Sequence, residues 1–166
     1  MIIKITNLSN GVHWFDFDKS VEDLSLQDSF IGSVKTKIKL DKSIHQIIIS
    51  AESKGIHKYV CDRCNCDTES ELECSFQLVY IFSTRMQESE DENVKFLTPE
   101  VDKIDVSEDL AEYLRISLPM KNLCSEECKG LCPVCGNNLN KKKCRCKKEI
   151  FNDIWEPLKK LKDNSK

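Results

Sequence analysis

The sequence predicts an α+β protein: an antiparallel, β-rich sheet or open barrel, a bridging helix, and a C-terminal cysteine-rich module. Three observations predict it. Apolar and polar residues alternate with period two in several segments of residues 1–85, as half-buried strands require. The apolar period becomes helical between Val106 and Leu118. Six of the ten cysteines then fall within residues 124–146.

The run from Ile2 to Ile5 and the run from His13 to Phe17 read as two short strands. Val34 to Leu40 alternates apolar or β-branched residues with lysine, which predicts a strand with one face in the core. Ile44 to Ala51, with Ile47, Ile48 and Ile49, reads as a buried strand. Asp41-Lys-Ser43 between them predicts a hairpin turn. Tyr59-Val60 leads into a cysteine cluster, after which Cys74, Phe76, Leu78, Tyr80 and Phe82 alternate on one face of a further strand. Residues 86–93 are acidic and aperiodic and read as an exposed loop, with mobility extending towards Pro99. Asp105 as N-cap and Glu108 three residues later form a capping-box pattern. Val106, Leu110, Tyr113, Leu114 and Leu118 follow helical spacing, and Pro119 ends the helix. The cysteine module follows at once, so this helix bridges sheet and module. A last short helix is expected over residues 153–162, with Trp155, Leu158 and Leu161 on one face. The expected organisation is a β-rich domain (1–85), an acidic loop or linker (86–104), the bridging helix (105–119), and the cysteine module with its terminal helix (120–166).

The composition is that of a globular chain: 166 residues, 40% hydrophobic and 32% charged. No run of about eighteen apolar residues exists, so no membrane span is expected. The first residues lack a signal-peptide pattern, which predicts a cytoplasmic protein. Ten cysteines in a reducing compartment point to metal before disulfides. Residues 1–120 hold 13 Lys/Arg against 22 Asp/Glu, whereas residues 121–166 hold 12 against 6. The plain reading of that asymmetry is soluble surface; the functional one is a basic end that meets a polyanion.

Within the module, Cys132-Pro-Val-Cys135-Gly136 carries the two-residue spacer that turns two thiolates towards one point. Gly136 supplies the left-handed backbone that such a turn needs. Cys144-x-Cys146 places two side chains on one side of an extended segment. Ser125-Glu-Glu127 is compatible with a helical turn, which would put the Cys124 and Cys128 sulfurs on one face. Three pairs compete for the four places on one tetrahedral ion. Cys132 and Cys135 belong to any such set, and Cys144 with Cys146 are slightly preferred over Cys124 with Cys128, a mixed set being the further alternative. Alternatives are a packed or disulfide-linked cluster and an iron–sulfur cluster. The region has little apolar content with which to build a core, and a bound ion would replace one. With no histidine in the module, the expected cofactor is structural Zn2+ rather than catalytic zinc. Upstream, Cys61-Asp-Arg-Cys64 reads either as a turn carrying free thiols or as a second metal site, completed by the spare pair of the module. Cys66 and Cys74 stay unassigned.

His13, His45 and His57 stand apart in strand-like contexts and read as surface or satisfied histidines. No Ser/His/Asp or Cys/His spacing and no Gly-rich phosphate loop occurs, so no catalytic residue is assigned and no enzyme or small-molecule substrate is expected. Lys141, Lys142, Lys143, Arg145, Lys147 and Lys148 surround the last cysteine pair. They form a candidate nucleic-acid surface that contacts phosphate with little base discrimination. The competing reading is a solvated basic face.

Cys124-Ser-Glu-Glu-Cys128-Lys-Gly-Leu-Cys132-Pro-Val-Cys135-Gly-Asn-Asn-Leu-Asn140, followed by Cys144-x-Cys146, resembles the YceD-like family, the large ribosomal RNA subunit accumulation proteins. Cys61-Asp-Arg-Cys64 matches that family's Cys-x-Arg-Cys element, and the resemblance runs in order along nearly the whole chain. It implies a non-enzymatic ribosome-biogenesis factor, bacterial or organellar, that supports accumulation or processing of large-subunit (23S) rRNA. The partners it implies are rRNA precursor or an assembly intermediate. A zinc-stabilised adaptor contacting a ribosomal protein or assembly factor is the alternative. Two departures stand out. Asn65 and Cys66 follow the Cys-x-Arg-Cys element where the family often has Leu, and the tail reads Asn152-Asp-Ile-Trp155 where the family often has Asp-Pro-Arg-aromatic.

Overall fold

The computed structural model describes residues 1–84 and 90–146. Among them the elements are β1 (Ile2–Lys4), β2 (Gly11–Ser20), β3 (Phe30–Lys42), β4 (Gln46–Val60), β5 (Asp67–Phe82), β6 (Val94–Leu97), β7 (Lys103–Asp105) and α1 (Ser107–Ile116). The protein is mostly β-sheet with one short helix. Five strands form an open sheet in the order β2-β3-β4-β5-β6, and β1 pairs with β7 in a separate antiparallel ribbon. The barrel alternative is therefore corrected: β2 and β6 are edges and do not meet.

Alternation explains the sheet. In β3 the buried residues are Phe30, Val34, Thr36, Ile38 and Leu40, and Lys35, Lys37 and Lys39 face solvent. The register aligns Leu40 with Ile49 and Ile49 with Leu78, while Ile38 aligns with Ala51 and Ala51 with Phe76. One face of three strands thus becomes a continuous apolar layer, the cross-strand packing that stabilises sheets. Thr36 and Ser53 sit in the next row, where the Ser53 hydroxyl donates to Thr36 Oγ1 at 3.0 Å. This bond meets the demand that buried polar groups be paired.

Helix α1 covers this layer with Leu110, Ala111 and Leu114, and the Tyr113 ring stacks on Phe76 at 4.5 Å between centroids. The β1–β7 ribbon adds Ile3 and Ile104, and the β2–β3 connection adds Val21, Leu24 and Leu26. No helix among the described residues is long and apolar enough to cross a membrane.

Four expectations need correction. The β3–β4 turn lies at Ser43–His45 rather than at Asp41–Ser43. There the Ser43 hydroxyl and backbone both bond to Gln46, leaving Ile44 exposed at the tip. Residues 86–104, read as loop or linker, contain β6 and the start of β7; β6 pairs parallel with β5, aligning Val79 with Val94. Asp105 is the last residue of β7 and not the N-cap, which is Val106 without a side-chain cap. The Asp105 carboxylate is occupied instead by the Ser107 N–H and hydroxyl and by the Met1 amino group. Finally, Ile2–Lys4 does not join the main sheet. The helix expected at 153–162 and residues 86–89 of the acidic run lie outside the described residues.

The layer makes one stability prediction. Leu114→Ala empties a fully buried site and is expected to cost about 2–5 kcal/mol in urea unfolding. Trp14→Ala, at a residue 69% exposed, is expected to stay within about 0.5 kcal/mol of the parent.

Candidate metal centre

The β4–β5 hairpin closes through Cys61–Cys66. Cys61 N–H donates to Cys66 O, and Asn65 N–H donates to Cys61 O, both at 2.9 Å. Asn65 takes a left-handed φ of 53°, which Asn tolerates better than most residues. The tight turn leaves the sulfurs of Cys61 and Cys64 together and buried, at 1% and 3% exposure. After α1 the chain returns to this hairpin end. Asp62 N–H donates to Asn122 O at 2.8 Å, Asn122 N–H to Asp62 Oδ2 at 2.7 Å, and Tyr59 hydroxyl to Leu123 O at 3.0 Å. Arg63 then clamps the next segment, its Nη1 donating to Glu126 O at 3.0 Å and Cys128 O at 3.1 Å. These bonds seat Cys124 and Cys128 against Cys61 and Cys64. Sulfur separations are 3.9 Å for Cys61–Cys128 and 3.6 Å for Cys64–Cys124.

A second group follows directly. Gly130 adopts φ +71°, and a Cβ there would lie 2.9 Å from the Arg63 carbonyl. The chain therefore needs glycine to pass this close to the hairpin turn. Leu131 N–H donates to that same carbonyl at 3.1 Å. Leu131 bridges to Asn138, and Cys132 N–H donates to Asn137 O at 2.8 Å. Gly136 turns the chain at φ +72°. Cys132 and Cys135 meet Cys144 and Cys146, with Cys135 and Cys144 sulfurs 3.4 Å apart. Cys132 is buried, whereas Cys135 and Cys146 are exposed. We call the first quartet the inner group and the second the outer group.

In each quartet all four sulfurs lie within 4.8 Å of one another. Disulfides need about 2.05 Å, so these are free thiols. A tetrahedron with bonds of about 2.3 Å to a central ion has edges of about 3.8 Å, and the measured separations bracket that length. Either group could hold a metal ion.

The electrostatics agree. The Cys124 N–H, 3.3 Å from Cys61 sulfur, lowers the Cys61 thiol to about 6. The N–H groups of Cys135 and Val134 lower Cys132 to about 6. Burial and the neighbouring Cys61 push Cys64 up to about 12, and hydrogen bonding with Cys144 and Cys135 pushes Cys146 up to about 12. Cys128 is also lowered and Cys124 raised in the inner group, and Cys135 is raised in the outer one. Each quartet thus mixes thiols that ionise readily with thiols that resist, because a further thiolate would be poorly solvated beside the first. A cation among the four sulfurs removes that penalty.

The sequence left three pairs competing for one ion. The structure divides eight cysteines between two groups, with Cys61 and Cys64 taking the pair that the outer group does not use. Cys66 and Cys74 belong to neither. Cys66 sulfur accepts a bond from Asn138 Nδ2 at 3.1 Å, and Cys74 is buried in the sheet, where burial raises its thiol. Neither quartet contains histidine; His57 is buried between Phe30 and Tyr59. Lys141, Lys142, Lys143 and Arg145 are exposed around the outer group, and Lys147 and Lys148 lie outside the described residues. Sequence reasoning missed Arg63, Asn138 and Asn140, although they belong to the quoted motifs. Asn140 Nδ2 donates to Cys128 sulfur at 3.2 Å.

The chain matches the family described as Large ribosomal RNA subunit accumulation protein YceD over residues 49–162. The Large ribosomal RNA subunit accumulation protein YCED homolog 1, chloroplastic, of Arabidopsis thaliana is 26% identical over 155 residues, covering 78% of this chain and 46% of the relative. The chain thus spans about half the length of that curated relative. No solved structure matches it.

Two glycine variants test the docking of the groups. Gly130→Ala and Gly136→Ala share the left-handed strain of about 1–2 kcal/mol, but only Gly130→Ala meets backbone. Gly130→Ala is expected to lose more stability in urea unfolding. Equal losses would show that the approach to Arg63 carries no weight.

Proposed function

The chain belongs to the large ribosomal RNA subunit accumulation protein YceD family, and on that premise we propose that it is a non-enzymatic ribosome-biogenesis factor. It supports accumulation or processing of large-subunit (23S) rRNA in the cytoplasm. Each cysteine quartet holds one structural Zn2+. The outer group presents its cations to rRNA precursor or to an assembly intermediate. The carrying observation is that Lys141, Lys142, Lys143 and Arg145 are exposed in the same loop that supplies Cys144 and Cys146. A loop tied at its sulfurs holds these cations in place, so less chain ordering opposes phosphate binding. The acidic balance of residues 1–120 directs RNA to this end of the chain.

The donor sets favour zinc: four sulfurs, no carboxylate and no imidazole suit a closed tetrahedral site. Such a site leaves no open position for a substrate or an activated water, which is why the reading is structural rather than catalytic.

A second reading has its own observation. Leu131 and Val134 on the outer group and Met120 before it are exposed, and apolar side chains there suit a protein partner. On that reading the chain is an adaptor to a ribosomal protein or assembly factor. Capture of that partner would survive nuclease.

Elemental analysis of the purified chain is expected to give two zinc ions per chain and no iron. Dialysis against a strong chelator should then lower its melting temperature. In RNA binding measured against salt, changing Lys141, Lys142 and Lys143 together to Ala is expected to weaken binding and flatten the log–log slope by about 2–3. An unchanged slope would remove the loop from the interface.

A further inference from the structure

The Asn138–Asn140 stretch lies in the loop between the two sulfur pairs of the outer group, yet its amides point at the other end of the module. Asn140 Nδ2 donates to Cys128 sulfur of the inner group at 3.2 Å. Its Oδ1 accepts from Lys129 N–H at 2.8 Å, which fixes the amide with its NH2 towards sulfur. Asn138 Oδ1 accepts from Asn140 N–H at 2.9 Å, and Asn138 Nδ2 donates to Cys66 sulfur at 3.1 Å, beside the inner turn. Leu139 N–H bonds to Gly130 O at 2.9 Å, and Leu131 N–H to Arg63 O at 3.1 Å. The loop closed by the outer sulfurs is thus fastened onto the inner quartet.

We propose that the two metal sites are coupled: Asn140 is a positioning residue that strengthens the inner site, and it is delivered by closure of the outer one. The proposal rests on the reading that both quartets hold metal. The physical basis is a donor aimed at a ligand sulfur. An N–H bond to a thiolate fixes its direction and offsets part of its charge, and such supporting contacts are worth about 10–100-fold in metal affinity. Linkage makes the effect mutual, so metal in the inner group also favours outer loading.

Co2+ titration of the full chain, followed by sulfur-to-cobalt absorption and chelator competition, tests the coupling. Asn140→Asp keeps the oxygen that holds Lys129 but replaces the sulfur donor with a carboxylate oxygen. It is expected to weaken inner-site Co2+ binding by about tenfold or more and to shift that site's charge-transfer band. Replacing Cys132 and Cys135 by Ser should weaken the inner site similarly, and adding Asn140→Asp to that variant should then change little. Asn140→Asp that takes up two Co2+ with unchanged inner affinity and an unshifted band overturns the coupling but leaves the two-metal reading standing. A parent chain that takes up fewer than two Co2+ overturns both.

Discussion

The β4–β5 ladder runs without a break from Gln46 against Ile81 to Val60 against Asp67, and the two halves of the molecule depend on it. At one end it contributes Ile47, Ile49, Leu78 and Tyr80 to the core. At the other it ends in the turn that positions Cys61, Cys64 and Arg63. Tyr59, Asp62 and Arg63, in that turn or beside it, bond to Leu123, Asn122, Glu126, Cys128 and Leu131. A one-residue slip in the ladder would reverse the face of each side chain. It would expose the apolar layer and turn the inner cysteines away from their partners together.

The halves are held by different physics. The sheet half buries large aliphatic side chains on one face and closes that face with α1. Among residues 119–146 only Cys128, Gly130 and Cys132 are buried, and no described helix or strand lies there. Backbone hydrogen bonds and sulfur chemistry must supply what apolar area cannot. Arg63 suits this task because its rigid fork can serve two carbonyls at once, where lysine would offer a single mobile point of charge.

Much of the sheet was legible because alternation is a local signal. Val34 to Leu40 and Cys74 to Tyr80 show their buried faces directly in the residue order. Strand β6 was not legible: Val94–Leu97 is short and half-buried throughout, and its parallel pairing with β5 leaves no hairpin signature. Asp105 misled for a related reason. Its spacing to Glu108 fits a capping box, but the β1–β7 pairing draws its carboxylate to Ser107 and Met1. For the cysteines, spacing indicates which two sulfurs turn towards one point. Which pair meets which is decided by the path of the chain after α1. Arg63 and Asn140 were hidden likewise, because their partners are carbonyls and a sulfur brought near by that path.

Cys61 and Cys128 stand 67 positions apart in the chain. A metal ion shared by their sulfurs would therefore act as a cross-link as well as a local organiser. By the loop-entropy relation for covalent staples, closing a ring of that size removes about 4 kcal/mol of freedom from the unfolded chain. In a reducing compartment, where a disulfide would not persist, such a staple depends on metal supply instead of on redox state. Depletion of the ion would then release the segment carrying Cys124 and Cys128 from the hairpin turn carrying Cys61 and Cys64.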